Sequence, residues 1–206
     1  MFILPDFKEE NHISEIKDAM REVSQLAVEV GVILDVGSKG IEFLQMIATA
    51  NEFGTDIVPK NSRYLAIPTK LGLGHSPRDF DGLFVPKGKH VLAKSNNNGG
   101  IDIYFILKSH VRIPERSFLR SGLDDNMYKM AELVEDNLQR VFNLEMSPHD
   151  MYERLGRQLA NYIRIEIRLK MSPKNAPLTI ANKGKDDPLI DKGSLLNSIS
   201  YRVVEA

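Results

Sequence analysis

The stretch LDDNMYKMAELVEDNLQRVFNLEMSPHDMYERLGRQLANYIRIEIRLKMSP, residues 123–173, decides the fold class. Apolar side chains at Leu119, Leu123, Met127, Met130, Val134, Leu138 and Val141 recur in near-heptad steps, which predicts one long helical stripe. Ser147-Pro148-His149-Asp150 then starts a second helix, because serine caps the first free N–H groups and proline suits the first turn. Its stripe of Met151, Leu155, Leu159, Tyr162 and Ile163 runs on towards residue 170. Pro173 ends it, since the residue before a proline avoids the helical region. Two such helices need a layer to cover, and the rest of the chain supplies short strands.

Working outward, Ile13, Ile16, Met20, Val23 and Ala27 predict an amphipathic helix over residues 12–26, followed by a strand over 28–33. Phe43, Met46, Ile47 and Ala50 predict a short helix closed by Gly54. Strand-like runs at 64–67 and 101–107 flank residues 69–100, where Gly, Pro, Lys and Asn dominate. That segment is expected to protrude as a long loop or hairpin with an Asn/Gly tip at 95–100. Its Lys87, Lys89 and Lys94 would suit an acidic partner surface or a DNA path. At the far end Ile199, Tyr201 and Val203 alternate with Ser198, Ser200 and Arg202, the pattern of a strand completing the chain's own sheet.

The expectation is an α+β fold in one domain, 1–206. A small mixed β-sheet is packed by an N-terminal helix and two long antiparallel helices, with the hairpin-like excursion and a C-terminal arm. The arm covers residues 172–197. Residues 172–193 hold three prolines, two glycines and seven charged side chains, which suits neither a helix interior nor a central strand. Leu178, Ile180, Leu189 and Ile190 still recur there, too sparse for a core, and are expected to rest on a neighbouring subunit.

With 206 residues, a net charge of −1 and no cysteine, the chain has no global basic field, no disulfide and no thiolate metal site. No apolar run is long enough for a signal peptide or a membrane span, so a soluble protein made in the cytosol is expected, with no membrane partner. Catalysis finds little support. His12, His75, His90, His110 and His149 lack metal-ligand spacing, and Gly72-Leu73-Gly74 lacks the rest of a dinucleotide fingerprint. Asp124-Asp125 and Asp186-Asp187 suit solvated acids near a helix start or in a turn better than a metal pair. An enzyme would need a spatial cluster of residues such as His75, His90 and Asp81. No catalytic residue, metal or cofactor is expected.

Charge is patterned. Residues 123–150 carry seven acids against Lys129 and Arg140, and residues 152–185 carry eight bases against Glu153 and Glu166. Three interpretations stay open. The two helices pair with each other; or copies of the subunit join head to tail into a ring, using Arg164 and Arg168; or Arg154, Arg157, Arg164 and Arg168 face nucleic acid. Ile113–Arg120 has two readings as well. Phe118 and Leu119 form a strand-to-helix corner, while Arg116 and Arg120 either extend outward or clamp carboxylates of a neighbour.

Three segments carry a resemblance. Asn175-Ala176-Pro177-Leu178-Thr179-Ile180-Ala181, continuing through Lys183-Gly184, Pro188-Leu189-Ile190-Asp191 and on to Val203, is similar to the C-terminal segment of tail-completion, or tail-to-head joining, neck proteins of long-tailed bacteriophages, akin to Mu-like virion morphogenesis proteins. Ala50-Asn51-Glu52-Phe53-Gly54-Thr55 and Ile113-Pro114-Glu115-Arg116-Ser117-Phe118-Leu119-Arg120 fit the same family in the same order, with Ser117 where a second proline is common. The resemblance implies a non-enzymatic virion structural protein that forms a ring, commonly a hexamer, at the head-tail interface. Such a ring completes the tail tube and joins it to the filled head. The implied partners are further copies of the chain, the tail tube protein, and a head-completion or connector protein, close to packaged DNA. The implied location is the neck or tail end of the virion, assembled in the host cytoplasm. A tail terminator or a head-side connector is the alternative within that class. A nucleic-acid-binding accessory protein is the alternative outside it.

Overall fold

The structure is a computed structural model that describes residues 12–36, 40–169 and 172–206. It is α+β, with short antiparallel sheets and helices on their faces. The chain runs α1 (Ile13–Val23), β1 (Leu26–Val32), α2 (Ile41–Glu52), β2 (Thr55–Ile57), β3 (Leu65–Pro68), a 3-10 turn at Pro77–Asp79, β4 (Val91–Ser95), β5 (Ile101–Lys108) and β6 (Val111–Ile113). It continues through α3 (Phe118–Asp124), α4 (Met127–Phe142), α5 (Pro148–Arg168), α6 (Pro177–Lys183), α7 (Ser194–Ser198) and β7 (Ile199–Glu205).

The first and last described strands meet. β1 and β7 pair antiparallel, with Val28 opposite Val203, Val30 opposite Tyr201 and Val32 opposite Ile199. Alternation sends those residues to one face and Glu29 and Arg202 to the other, where the guanidinium grips the carboxylate at 2.6 Å. α5 lies across the apolar face. Gly156 makes that approach possible, because a Cβ there would fall 2.5 Å from the Tyr201 ring and 2.6 Å from Val28.

Helix α5 starts as its sequence dictates. The Ser147 hydroxyl accepts from the Asp150 amide at 3.0 Å and donates to the Asp150 carboxylate at 2.7 Å. Its buried residues Met151, Leu155, Gly156, Ala160, Ile163 and Ile167 serve two clusters. One joins Ala160, Ile163 and Ile167 with Val32, Leu44, Ala48, Phe118, Leu195 and Ile199. The other joins Met151 and Leu155 with Met130 and Val141 of α4, and Ala19 and Val23 of α1 pack against it. The Tyr152 hydroxyl donates to the Val23 carbonyl and fastens the end of α1.

Three expectations change. The stripe from Leu119 to Val141 is two helices, because the chain turns at Asp125–Asn126, where the buried Asn126 amide donates to the Gly122 carbonyl. The single mixed sheet is replaced by separate antiparallel pairings: β1 with β7, β2 with β6, and β3–β5–β4. In the 69–100 excursion β4 pairs with β5 around a tip where Asn96 accepts from the amides of Asn98 and Gly100, and Phe80 meets Tyr104 and Phe105 of β5 edge-on. The arm, expected to suit neither helix nor central strand, forms two short helices: Pro177 opens α6, Gly184 in the left-handed region closes it, and Gly193 precedes α7. Leu189 and Ile190, expected on a neighbouring subunit, pack against the chain's own first cluster, beside buried Pro188. Their spacing hides this, because they reach the core from a loop and not from a periodic element.

Candidate functional site

The end of α2 brings together the residues on which the most polar bonds converge. Glu52 is the last residue of α2 and is 2% exposed. Its carboxylate accepts from the Leu119 amide at 2.9 Å and the Arg120 amide at 3.1 Å, two of the free N–H groups that open α3. Arg120 closes the arrangement from outside. Its Nε donates to Glu52 Oε1 at 3.0 Å, and its Nη2 donates to the Glu52 carbonyl and to Glu115, each at 2.7 Å. The guanidinium also lies over the Phe53 ring, 5.0 Å from its centre. The hydrogen bonds to Glu52 and then to Glu115 hold the Arg120 pKa above its ordinary value.

Arg116 extends the joint to the arm. Its amide donates to the Asn51 carbonyl at 2.6 Å, and its side chain donates to the carbonyls of Pro173 at 2.9 Å and Lys174 at 3.2 Å. Burial lowers its pKa, and nearby Asp186 opposes that shift. Asp186 in turn accepts from the Asn175 amide, which folds the arm back on itself. Gly54 is required here. It sits at φ +67°, and a Cβ would fall 2.9 Å from the Glu115 amide nitrogen.

Further along, Asn182 donates to the Pro68 carbonyl, and the half-buried Lys183 ammonium donates to the Asp187 carbonyl at 2.7 Å. Burial lowers the Lys183 pKa. Between α6 and the strands opens a cleft of about 890 Å³, lined by Ile67, Ile106, His110, Val111, Leu178 and Ala181. Leu178 therefore looks into a groove of its own chain, while Ile180 on the same helix is half-buried. On the other side of the joint, the exposed side chains Met46, Phe53 and Ile57 line one shallow hollow.

The arginines expected at an interface divide. Arg116 and Arg120 bond within the subunit, to backbone carbonyls and to Glu52 and Glu115. Arg164 donates to the Ile199 carbonyl at the head of β7. Arg154 lies 3.9 Å from Asp136, and Arg157 lies 3.9 Å from Glu153. Arg168 is exposed and enters no ion pair among the described residues. In the excursion, Lys94 lies over the rings of Phe80 and Tyr104, whereas Lys87 and Lys89 are exposed.

His75 and His90 do not share a site: His75 sits against Phe80 and 3.8 Å from Asp79, and His90 sits against Tyr64. Among the described residues no group of three or more His, Asp or Glu could hold a metal ion, and no helix is long and apolar enough to cross a membrane.

Sequence reasoning gave Glu52 no role. Its stretch stood out only through resemblance, and a carboxylate capping a helix 67 residues away leaves no local signal. No protein-family model, curated protein or solved structure matches the chain.

Proposed function

We propose that the chain is a virion structural protein of the phage neck, a subunit of a ring that completes the tail tube and joins it to the filled head. One observation carries this. The three segments by which the chain resembles neck proteins lie far apart in sequence, yet they meet in one joint. Asn51 and Glu52 come from the first, Glu115, Arg116 and Arg120 from the second, and from the third comes Asp186, whose charge acts on Arg116 and whose carboxylate accepts from the Asn175 amide, just after the Pro173 and Lys174 carbonyls that Arg116 holds. A family pattern kept over such distances makes physical sense if the joint sets the angle between the sheet, the helices and the arm. A ring closes only when every subunit holds that angle.

The exposed side chains Met46, Phe53 and Ile57, which line one shallow hollow beside the joint, support an assembled state, because apolar surface gathered in one place favours a cover. The nucleic-acid alternative loses support, because Arg154 and Arg157 lie beside acids of the same chain and Arg164 holds a backbone carbonyl. Tail terminator and head-side connector remain variants of the same proposal, distinguished by which partner each ring face meets.

Electron microscopy of the purified protein, alone and mixed with isolated tail tubes, tests it. The expected image is a ring of copies seated on the end of the tube. A single copy at the tube end, or no binding to tubes, overturns the proposal.

A further inference from the structure

The bases of α5 are largely occupied within the subunit, so a contact between copies needs another basic side. The strand unit supplies it. Residues 55–113 hold nine Lys and Arg against four Asp and Glu, a balance of +5, in a chain whose total is −1, so the remainder carries −6. Three of those four acids are engaged locally. Asp56 pairs with Arg112, Asp79 caps the 3-10 turn through the Ser76 amide, and Asp102 accepts from Asn96.

The unit also presents a rigid point. Phe84 exchanges both backbone hydrogen bonds with Ala93, each 3.0 Å, which roots the following residues on β4. Val85 and Pro86 lead into a turn closed by the Lys89 amide on the Pro86 carbonyl at 3.0 Å, with Gly88 at φ +75°. The result is a projection carrying two exposed apolar residues, Phe84 (40% exposed) and Val85 (54%), and two exposed lysines, Lys87 and Lys89. Neither lysine enters an ion pair among the described residues.

The complementary surface is on α4. Its inner side meets α5 and α1, and its outer side carries Tyr128, Glu132, Glu135, Gln139 and Phe142 at alternating steps of four and three, one stripe of the helix. All five are exposed, Tyr128 by 75% and Phe142 by 55%, so two aromatic rings stand at the ends of a stripe with two glutamates between them. Neither glutamate has an ionic partner among the described residues.

We propose that the Phe84–Lys89 projection of one copy docks on the Tyr128–Phe142 stripe of α4 in a second copy. The lysines would meet Glu132 and Glu135 while Phe84 and Val85 cover the Tyr128 ring at the near end of the stripe. Because the two surfaces differ, the contact is head to tail, the kind that propagates from copy to copy until it closes. The partner argued for is another copy of this chain, because it carries both complementary surfaces: opposite charge steers the encounter and the apolar area holds it. This rests on the ring proposed above and says which surfaces make its junction.

The absence of cysteine from the sequence gives a clean test. Chains carrying only Val85→Cys and chains carrying only Tyr128→Cys are mixed under mild oxidation. The expected product is a mixed disulfide dimer well above what either chain forms alone, and the double variant should give a ladder of oligomers.

Reversing the lysines, Lys87→Glu with Lys89→Glu, should cut linking about tenfold. Adding Glu132→Lys with Glu135→Lys to the same chain should restore it, and high salt should weaken the unreversed contact. No mixed dimer, or linking indifferent to the reversals, overturns the proposal. So does a lysine reversal that abolishes retention on duplex DNA while linking is unchanged, because the projection then serves nucleic acid. Rings in the microscope without this link remove the contact and keep the ring. Linked open filaments keep the contact and remove the ring.

Discussion

The body formed by α5 and the β1–β7 ribbon and the joint at the end of α2 lie side by side and hold together by different physics. In the first, apolar side chains repeat every three or four residues on a helix and every two on a strand, and burial does the work. In the second, one buried carboxylate and two guanidinium groups satisfy backbone amides and carbonyls that no regular element reaches. Close packing fails first when an atom is added, whereas a hydrogen-bonded joint fails first when a partner is lost.

The sharpest way to break this contrast is at Gly156. Valine there would drive its side chain into the Tyr201 ring and Val28, and neither has room to yield between helix and ribbon. Gly156→Val should cost about 3 kcal/mol. The loss should appear as a lower urea midpoint and as faster hydrogen exchange throughout α5, β1 and β7 together. A midpoint within error of the parent would mean that the helix rides further from the ribbon than described.

Glu52 gives the opposite pattern at smaller size. Glu52→Ala strands the amides of Leu119 and Arg120 and should cost about 2 kcal/mol. Glu52→Gln keeps an acceptor of the same shape and should cost about half as much. Hydrogen exchange should quicken at Leu119 and Arg120 well before it does in α5. If the α5 amides lose protection equally, the joint belongs to the same cooperative body and the distinction between the two regions fails.

The same contrast explains what could be read from the sequence. The α5 stripe, its Ser147 cap and the alternation of Ile199, Tyr201 and Val203 are local and periodic, and they form as the pattern dictates. The break at Asn126 escaped because apolar positions keep their spacing across it while a buried amide turns the chain. Leu189 and Ile190 escaped because packing from a loop has no period. The contacts of Arg116 and Arg120 within the chain escaped for a related reason: both are long cations, and nothing nearby in sequence announces that carbonyls of Pro173 and Lys174, or the carboxylate of Glu52, wait within reach. Counting charge along α4 and α5 likewise said nothing about which side of each helix bears it. Lys87 and Lys89 kept their exposed place, while Lys94 was drawn over the rings of Phe80 and Tyr104.

The smallest expected effect lies where the two regimes touch. Glu166 sits on α5 among apolar neighbours yet carries a carboxyl, and its pKa is raised, first by burial and then by the charge of Asp125 at the end of α3. A raised pKa means that the native chain holds this proton more tightly than the unfolded chain does. Its contribution to stability is therefore complete below the ordinary glutamate value of about 4.3 and is lost as pH rises through the higher native value. At neutral pH the ionised side chain is a liability. Glu166→Gln should then raise the melting temperature slightly at pH 7, and the gain should shrink to nothing below about pH 4. Asp125→Asn separates the two causes. It removes the repulsion and leaves the burial, so its gain at pH 7 should be the smaller of the two. An equal gain would make repulsion between the two acids the leading cause, and Glu166 would then behave like the polar joint at Glu52, governed by its partner, and not like the packed helix on which it stands.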